Sequence, residues 1–199
     1  MLFRSVPNPP GGVVDTSARL LSEPLGKLLG QDSYKTGDKS FTAQIAKIKG
    51  ASVVGIAGGP EKVERLVSEF GFDVGIDYRS PDFRDQLSAV TPDGVDVLFE
   101  NVGGEIMEVC ISRMNPRGRI ALCGMISIYG GTRGARHDWS TILAKRLRVE
   151  GFNLIDCADI WSRAAGDLAR WVAKGEIRAE ETILDGLESA PEAVNMLFD

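Results

Sequence analysis

The stretch that decides the fold lies at residues 51–71, which read ASVVGIAGGPEKVERLVSEFG. Its first part, residues 51–59, is an apolar run that ends in two glycines, and this pattern is typical of a buried strand. Its second part, residues 60–71, begins with proline, carries apolar side chains at helical spacing and ends at glycine, as an amphipathic helix does. A buried strand followed directly by such a helix is the repeating unit of an α/β sheet.

The same alternation continues on both sides of that stretch. Helices are predicted at residues 41–50, 60–71, 81–90, 105–115, 138–148, 157–175 and 189–198, and strands at 51–59, 73–78, 94–104, 118–125 and 149–154. The strands are continuous apolar runs, as strands covered on both faces must be. The order predicts an α/β fold, a doubly wound parallel sheet of the Rossmann-like kind.

Residues 1–40 have a different composition from the rest of the chain. Proline and glycine are concentrated there, and the one apolar stretch, residues 18–29, is interrupted by Pro24 and Gly26. Proline removes a helical hydrogen-bond donor and clashes with the preceding turn. We therefore expect an irregular N-terminal segment with no assignable fold over 1–40, and one α/β domain over 41–199.

Composition and charge exclude several classes of function. The chain has 199 residues with 23 Lys and Arg against 28 Asp and Glu, a net charge of −5, so it lacks the basic surface that nucleic-acid binding requires. No apolar run approaches the roughly 20 residues of a membrane-spanning helix. Three distant cysteines and one histidine lack metal-ligand spacing, which predicts no metal site. Unpaired thiols favour a reducing compartment, and we expect a cytoplasmic protein.

Small and polar residues follow four consecutive predicted strands. They are residues 58–62, 77–79, 101–104 and 123–129. In an open parallel sheet, ligands bind outside the carboxyl ends of the strands, and glycine lets a ligand approach the backbone closely. A nicotinamide dinucleotide is the ligand that this layout most often serves.

The residues after the strand at 51–59 indicate which dinucleotide is bound. An acid at this strand end bonds the ribose 2′-hydroxyl of NAD, whereas a cation accepts the 2′-phosphate of NADP. Here no acid stands at the tip of the strand, and Lys62 and Arg65 follow, which favours NADP. In the alternative interpretation, both cations are solvated charges of a helix that pair with nearby glutamates.

Three longer runs resemble a known family. They are QIAKIKGASVVGIAGGPEKVERLVSEFGFDVGIDYRS, DGVDVLFENVGGEIMEVCISRMNPRGRIALCGMISIY and ILAKRLRVEGFNL. Over about residues 43–198 the chain resembles the cofactor domain of the zinc-independent medium-chain dehydrogenase/reductases. Within them it is most similar to the NADP-dependent alkenal and prostaglandin reductases, the leukotriene B4 12-hydroxydehydrogenase-like group.

The resemblance implies a set of cofactor-binding residues. Lys62 and Tyr78 would hold the adenosine 2′-phosphate of NADP. The nicotinamide side would be lined by Asn101, by Cys123, Gly124, Met125, Ile126, Ser127 and Tyr129, and by Phe152, Asn153 and Leu154.

The resemblance also implies a reaction, the reduction of the C=C bond of an α,β-unsaturated aldehyde or ketone. Hydride passes from NADPH to the β-carbon, and the developing enolate oxygen needs a hydrogen-bond donor. Tyr129 is the predicted catalytic residue, because a phenol with an ordinary pKa of about 10 remains protonated at neutral pH. The family is commonly dimeric, so a homodimer is expected.

Two departures from the family pattern lead to a second hypothesis. The first strand and the Gly-rich phosphate loop that should precede the helix at 41–50 are not recognisable, and neither is the N-terminal substrate domain. We therefore expect a truncated cofactor domain that lacks its first strand. The alternative function is a non-catalytic α/β fragment with weak or no nucleotide binding.

Overall fold

The computed structural model describes residues 2–4, 41–125, 127, 139–152, 158–179, 185–189 and 191. The strands are β1 (Leu2–Arg4), β2 (Ser52–Ala57), β3 (Val74–Asp77), β4 (Val95–Glu100), β5 (Met114–Leu122) and β6 (Arg148–Gly151). The helices are α1 (Phe41–Ile48), α2 (Pro60–Ser68), α3 (Phe83–Val90), α4 (Gly104–Arg113), α5 (Trp139–Lys145) and α6 (Trp161–Ala173). Among these helices, none is both long enough and apolar enough to cross a membrane.

The six strands form one sheet in the order β3-β2-β1-β4-β5-β6. This is the order of a doubly wound dinucleotide-binding sheet. The β2–β3, β4–β5 and β5–β6 pairs are parallel, whereas β1 is antiparallel to both of its neighbours. The predicted α/β fold is confirmed, with one reversed strand at its centre.

The central position of the sheet is filled by a strand that the sequence analysis did not predict. Leu2 pairs with Val54 on one side and with Leu98 on the other, and Phe3 pairs with Val53 and Val97. Without β1, backbone groups along β2 and β4 would lose these partners, and an antiparallel strand satisfies them as a parallel one does. Residues 2–4 thus depart from the irregular structure expected for 1–40, and the rest of that segment lies outside the described residues.

Helices cover both faces of the sheet, and each face has its own apolar core. On one face, α1, α2 and α6 bury side chains that include Ile45, Leu66 and Leu168. On the other face, α3 and α4 bury side chains that include Leu87 and Met107. Neighbouring residues of β2 alternate between the two cores, Val53 in the first and Val54 in the second, because successive side chains of a strand point to opposite faces.

The start of strand β5 differs from the one expected. Strand β5 begins at Met114, directly after α4, although the strand was predicted from residue 118. The early part is irregular, because Arg117 has a φ of 64° and the register between β4 and β5 shifts between Val95 and Val97. Because of this irregular pairing, residues 114–117 show no alternation of apolar and polar side chains from which the start of the strand could be predicted. Most of the helix predicted at 189–198 lies outside the described residues.

Candidate functional site

The carboxyl ends of the parallel strands form the candidate site, and the described residues there fall into two groups. We call the first group the β2–β3 rim; it comprises Gly58, Gly59, Lys62, Asp77, Tyr78 and Arg79. We call the second group the β4–β5 rim; it comprises residues 100–104, 123–125 and 127. In the order of the sheet, β1 lies between the strands that carry them.

In the β2–β3 rim, a glycine turn joins β2 to α2. Gly59 precedes the helix with φ 93° and ψ 151°, a conformation that is essentially restricted to glycine, and Pro60 begins the helix. Proline suits this position because its fixed φ is helical and its missing N–H would have no partner in the helix. The turn therefore exposes backbone at the start of a helix, where partial positive charge accumulates.

Asp77, the last residue of β3, links this turn to the end of its own strand. Its Oδ1 accepts hydrogen bonds from the backbone N–H of Gly59 at 3.0 Å and from that of Arg79 at 2.9 Å. The bond from Gly59, followed by that from Arg79, lowers the pKa of the carboxyl below its ordinary value. Asp77 is therefore ionised at neutral pH, and its charge is directed at backbone amides.

The side chains of Tyr78 and Arg79 lie over the backbone of Gly58. A methyl group built on Gly58 would lie 2.9 Å from both Arg79 Nε and Tyr78 Cε1, and 3.0 Å from the Tyr78 hydroxyl. The Arg79 guanidinium carbon lies 5.8 Å from the centre of the Tyr78 ring, within the range of a cation–π contact. Tyr78 is 39% exposed, so both groups remain open to solvent.

The two cations predicted near the 2′-phosphate differ in their partners. Arg65 forms two hydrogen bonds to Glu69, from Nε at 3.0 Å and from Nη2 at 3.1 Å, so for Arg65 the alternative of a paired helix charge is confirmed. Lys62 lies in the first turn of α2, and its ammonium has no acidic partner within 4.0 Å among the described residues. Lys62 is thus the cation of this helix that remains available to an anion.

In the β4–β5 rim, a buried carboxylate organises the turn after β4. Glu100 ends the strand and is only 3% exposed. Its Oε1 accepts hydrogen bonds from the backbone N–H of Val102 at 2.6 Å and from that of Gly103 at 2.8 Å. Its backbone oxygen accepts bonds from the N–H groups of Cys123 and Gly124 at 2.8 and 3.3 Å. One residue therefore joins the ends of β4 and β5.

The glycine pair after this turn is covered by the loop that follows β5. Gly103 precedes α4 with φ 76° and ψ −160°. A methyl group built on it would lie 3.1 Å from Ser127 Oγ and 3.2 Å from Met125 Cε. Ser127 is held there because its N–H donates to the oxygen of Val102 at 2.9 Å. This turn is consequently close-packed, unlike the turn at Gly59, where the nearest neighbour of such a methyl group is Arg79 Nη1 at 4.0 Å.

The remaining described residues that were predicted to bind cofactor lie at the same edge. The Asn101 side chain lies against Gly124, where a methyl group would be 2.5 Å from Asn101 Oδ1. The N–H of Phe152 donates to the oxygen of Leu122 at 3.4 Å, just past the end of β6. Cys123 keeps one face toward solvent, and burial of its sulfur raises the pKa of the thiol, so the thiol is protonated at neutral pH.

The structure thus brings together two sets of predicted residues. Lys62 and Tyr78 lie in the β2–β3 rim, and Asn101, Cys123, Gly124, Met125 and Ser127 lie in the β4–β5 rim. The predicted residues Ile126, Tyr129, Asn153 and Leu154 lie outside the described residues.

Sequence reasoning missed Glu100, and it placed Asp77 and Arg79 among the residues at a strand end without giving either a role. The signal for the two acids was present in the sequence, because each is the last residue of a strand and precedes a turn in which backbone N–H groups need acceptors.

The potential metal ligands of the described residues are far apart. Within the ranges that the structure describes, no three His, Cys, Asp or Glu side chains come close enough to hold a metal ion. Cys110, which is buried in the core, has its thiol pKa raised to about 12 by burial, so the thiol is protonated at neutral pH. Independence of zinc remains a prediction.

Comparison with known proteins gives a family and a set of relatives. The family model described as zinc-binding dehydrogenase matches residues 40–171. The NADP-dependent 2-alkenal reductase of Nicotiana tabacum is 40% identical over 161 residues, covering 79% of this chain and 47% of that protein. Prostaglandin reductase 1 of Rattus norvegicus is 41% identical over 158 residues, covering 77% of this chain and 48% of that protein.

A solved structure that contains NADPH also matches the chain. The crystal structure of CurA from Vibrio vulnificus in complex with NADPH superposes with a TM-score of 0.73 at 36% identity, covering 79% of this chain and 49% of that chain. The chain spans about half the length of the curated relatives it matches. The resemblance to NADP-dependent alkenal and prostaglandin reductases is confirmed.

Proposed function

We propose, from the premise that this chain belongs to the zinc-binding dehydrogenase family, that it is the NADP-binding part of a reductase. The substrates are α,β-unsaturated aldehydes or ketones, and the reaction is reduction of their C=C bond. The relatives are named as reductases of alkenals and prostaglandins, and we extend that kind of activity to the present chain.

The observation that carries the proposal is the composition of the β2–β3 rim. Strand β2 ends at Ala57 and is followed by two glycines, with no carboxylate at its tip. The nearby carboxylate of Asp77 accepts hydrogen bonds from the backbone N–H groups of Gly59 and Arg79. A ribose 2′-hydroxyl therefore finds no acid presented to it as NAD requires. A 2′-phosphate would meet the Tyr78 hydroxyl and the ammonium of Lys62, which has no acidic partner among the residues that the structure describes. This arrangement fits NADP.

The other rim serves the nicotinamide end in this proposal. The close-packed turn formed by Glu100, Gly103 and Ser127 gives a fixed wall at the carboxyl ends of β4 and β5. NADPH, when bound, supplies a hydride to the β-carbon of the substrate. The electron pair of the C=C bond then moves toward the carbonyl oxygen, and a proton from solvent completes the α-carbon. We assign Tyr129, with its protonated phenol, as donor to that oxygen.

The experiment is thermal unfolding of the purified chain with millimolar NADPH, with NADH, and without nucleotide. A ligand that binds only the folded state stabilises it by about 2.7 kcal/mol at a hundredfold excess over Kd. We expect NADPH to raise Tm by several degrees, NADH to raise it less, and Lys62→Ala to reduce the difference. Lys174→Ala, which changes an exposed lysine after α6, is the matched control and should behave as the unchanged chain.

An enone-reduction assay, followed by the loss of NADPH absorbance, separates the two hypotheses of function. NADPH binding with turnover that Tyr129→Phe abolishes supports the reductase. NADPH binding without turnover, or no binding, supports the non-catalytic fragment. The homodimer and the cytoplasmic location remain predictions, and sedimentation at several protein concentrations tests the first of them.

A further inference from the structure

We infer that Arg79 is a specificity-determining residue that binds the 2′-phosphate of NADP alongside Lys62 and Tyr78. The inference rests on the proposed function, because it concerns the same cofactor. It goes beyond that proposal by assigning a role to a residue outside the predicted cofactor-binding set.

The first argument is the position of the guanidinium. Arg79 Nε lies 2.9 Å from the place of a methyl group on Gly58, and Nη1 lies 4.0 Å from the corresponding place on Gly59. The guanidinium therefore lies over the turn that leads into α2. The N-terminus of a helix carries partial positive charge, so the turn and the guanidinium both favour an anion there, although the Asp77 carboxylate already accepts the Gly59 N–H.

The second argument is that the guanidinium is oriented and yet has donors to spare. Its central carbon lies 5.8 Å from the centre of the Tyr78 ring, a contact that places the guanidinium beside that ring. Its backbone N–H is fixed by Asp77 at 2.9 Å. No acidic side chain within the described residues lies within 4.0 Å of its nitrogens. The edge N–H groups are thus available to an anion.

The third argument is the match of chemistry. A guanidinium presents parallel N–H donors that fit two oxygens of a phosphate, whereas an ammonium acts as a point charge. A 2′-phosphate placed between Lys62 and the Arg79–Tyr78 pair would receive donors from both helix and strand sides. A 2′-hydroxyl carries no charge and would gain little from either cation.

The experiment measures binding of four ligands by titration calorimetry with the full chain. The ligands are NADPH, NADH, adenosine 2′,5′-bisphosphate and 5′-AMP. The variants are Arg79→Ala, Arg79→Lys and, as matched control, Arg148→Ala, an exposed arginine at the start of β6. We expect Arg79→Ala to weaken both 2′-phosphorylated ligands by about ten- to hundredfold and to leave NADH and 5′-AMP unchanged. The affinity of Arg79→Lys for the 2′-phosphorylated ligands should lie between those of the unchanged chain and of Arg79→Ala.

The outcomes separate this inference from the proposed function. If the unchanged chain does not bind NADPH, the proposed function fails and the inference with it. If NADPH binds, Lys62→Ala weakens it and Arg79→Ala does not, only the inference is overturned. An equal loss for phosphorylated and unphosphorylated ligands also overturns it, because Arg79 would then support the adenine or the fold. Raising the salt concentration should reduce the Arg79 effect.

Discussion

In both rims, one carboxylate oxygen accepts two backbone hydrogen bonds at a turn between a strand and a helix, but the carboxylates come from different places. In the β2–β3 rim, the acid is Asp77, which reaches across from the neighbouring strand and remains near the surface. In the β4–β5 rim, the acid is Glu100, which belongs to the strand that enters the turn and is 3% exposed.

The turn in the β2–β3 rim is therefore accessible to a ligand, whereas the turn in the β4–β5 rim is rigid. Asp77 ties two strand ends together and leaves the outer side of Gly58 to two exposed side chains. Glu100 closes its turn from within, and Ser127 and Met125 cover the glycine that follows. We expect substitutions in the β4–β5 rim to lower stability, and substitutions in the β2–β3 rim to lower nucleotide affinity.

The largest effect is expected from Glu100→Ala. The substitution removes the acceptor of two backbone N–H groups, one buried and one partly buried, at a cost of roughly 2–4 kcal/mol in the free energy of unfolding. For a chain of this size, that loss corresponds to a fall in Tm of about 5–15 °C. Glu100→Gln retains an acceptor oxygen and should lose less. Thermal unfolding checks both, and equal Tm values for the two variants would contradict the role assigned to Glu100.

The next effect comes from a matched pair, Gly59→Ala and Gly103→Ala. Both glycines have positive φ and extended ψ, so alanine adds backbone strain of about 1–3 kcal/mol at either position. At Gly103 the methyl group also meets Ser127 Oγ at 3.1 Å, whereas at Gly59 its nearest neighbour is Arg79 Nη1 at 4.0 Å. Urea unfolding should show the larger loss for Gly103→Ala. Equal losses would mean that the β4–β5 rim is not the more rigid turn.

The smallest effect is expected for Asp77→Asn, and it depends on pH. The pKa of Asp77 is lowered by bonds from Gly59 and Arg79, so its stabilising contribution is present above the unfolded pKa of about 4 and is lost as pH falls through the folded value. The difference in Tm between the unchanged chain and the variant should therefore stay constant from about pH 8 to pH 5 and then shrink on further acidification. A difference in Tm that changes between pH 8 and pH 6 would contradict the assignment of this pH dependence to Asp77.

The elements with strong periodicity were predicted well from the sequence. Strand β2 and helix α2 lie within the expected ranges, because a continuous apolar run and a 3.6-residue stripe each bury one defined surface. Strand β1 was missed for a physical reason. Three residues carry no period, and their strand exists only because β2 and β4 offer unpaired backbone groups far along the chain.

The site was predicted only in part, for a related reason. Lys62 and Tyr78 follow strands, so their place at the carboxyl edge could be expected from the order of elements. The packing of Arg79 on Gly58 depends on how far β2 and β3 are shifted along each other. That shift is set by their register, in which Ala57 pairs with Asp77. Registers between strands are fixed by long-range packing that a single sequence does not display.

The central position of β1 has a consequence for the order of folding. Among the described residues, the halves β3–β2 and β4–β5–β6 are joined in the sheet only through β1, whose residues 2–4 must find partners at 52–54 and 97–98. During synthesis, residues 2–4 therefore emerge before residues 97–98 and can pair with them only after the later segment has been made. Contacts between such distant segments slow folding. Closure of the sheet at β1 would then be a late step, after each half has collapsed on its own helices.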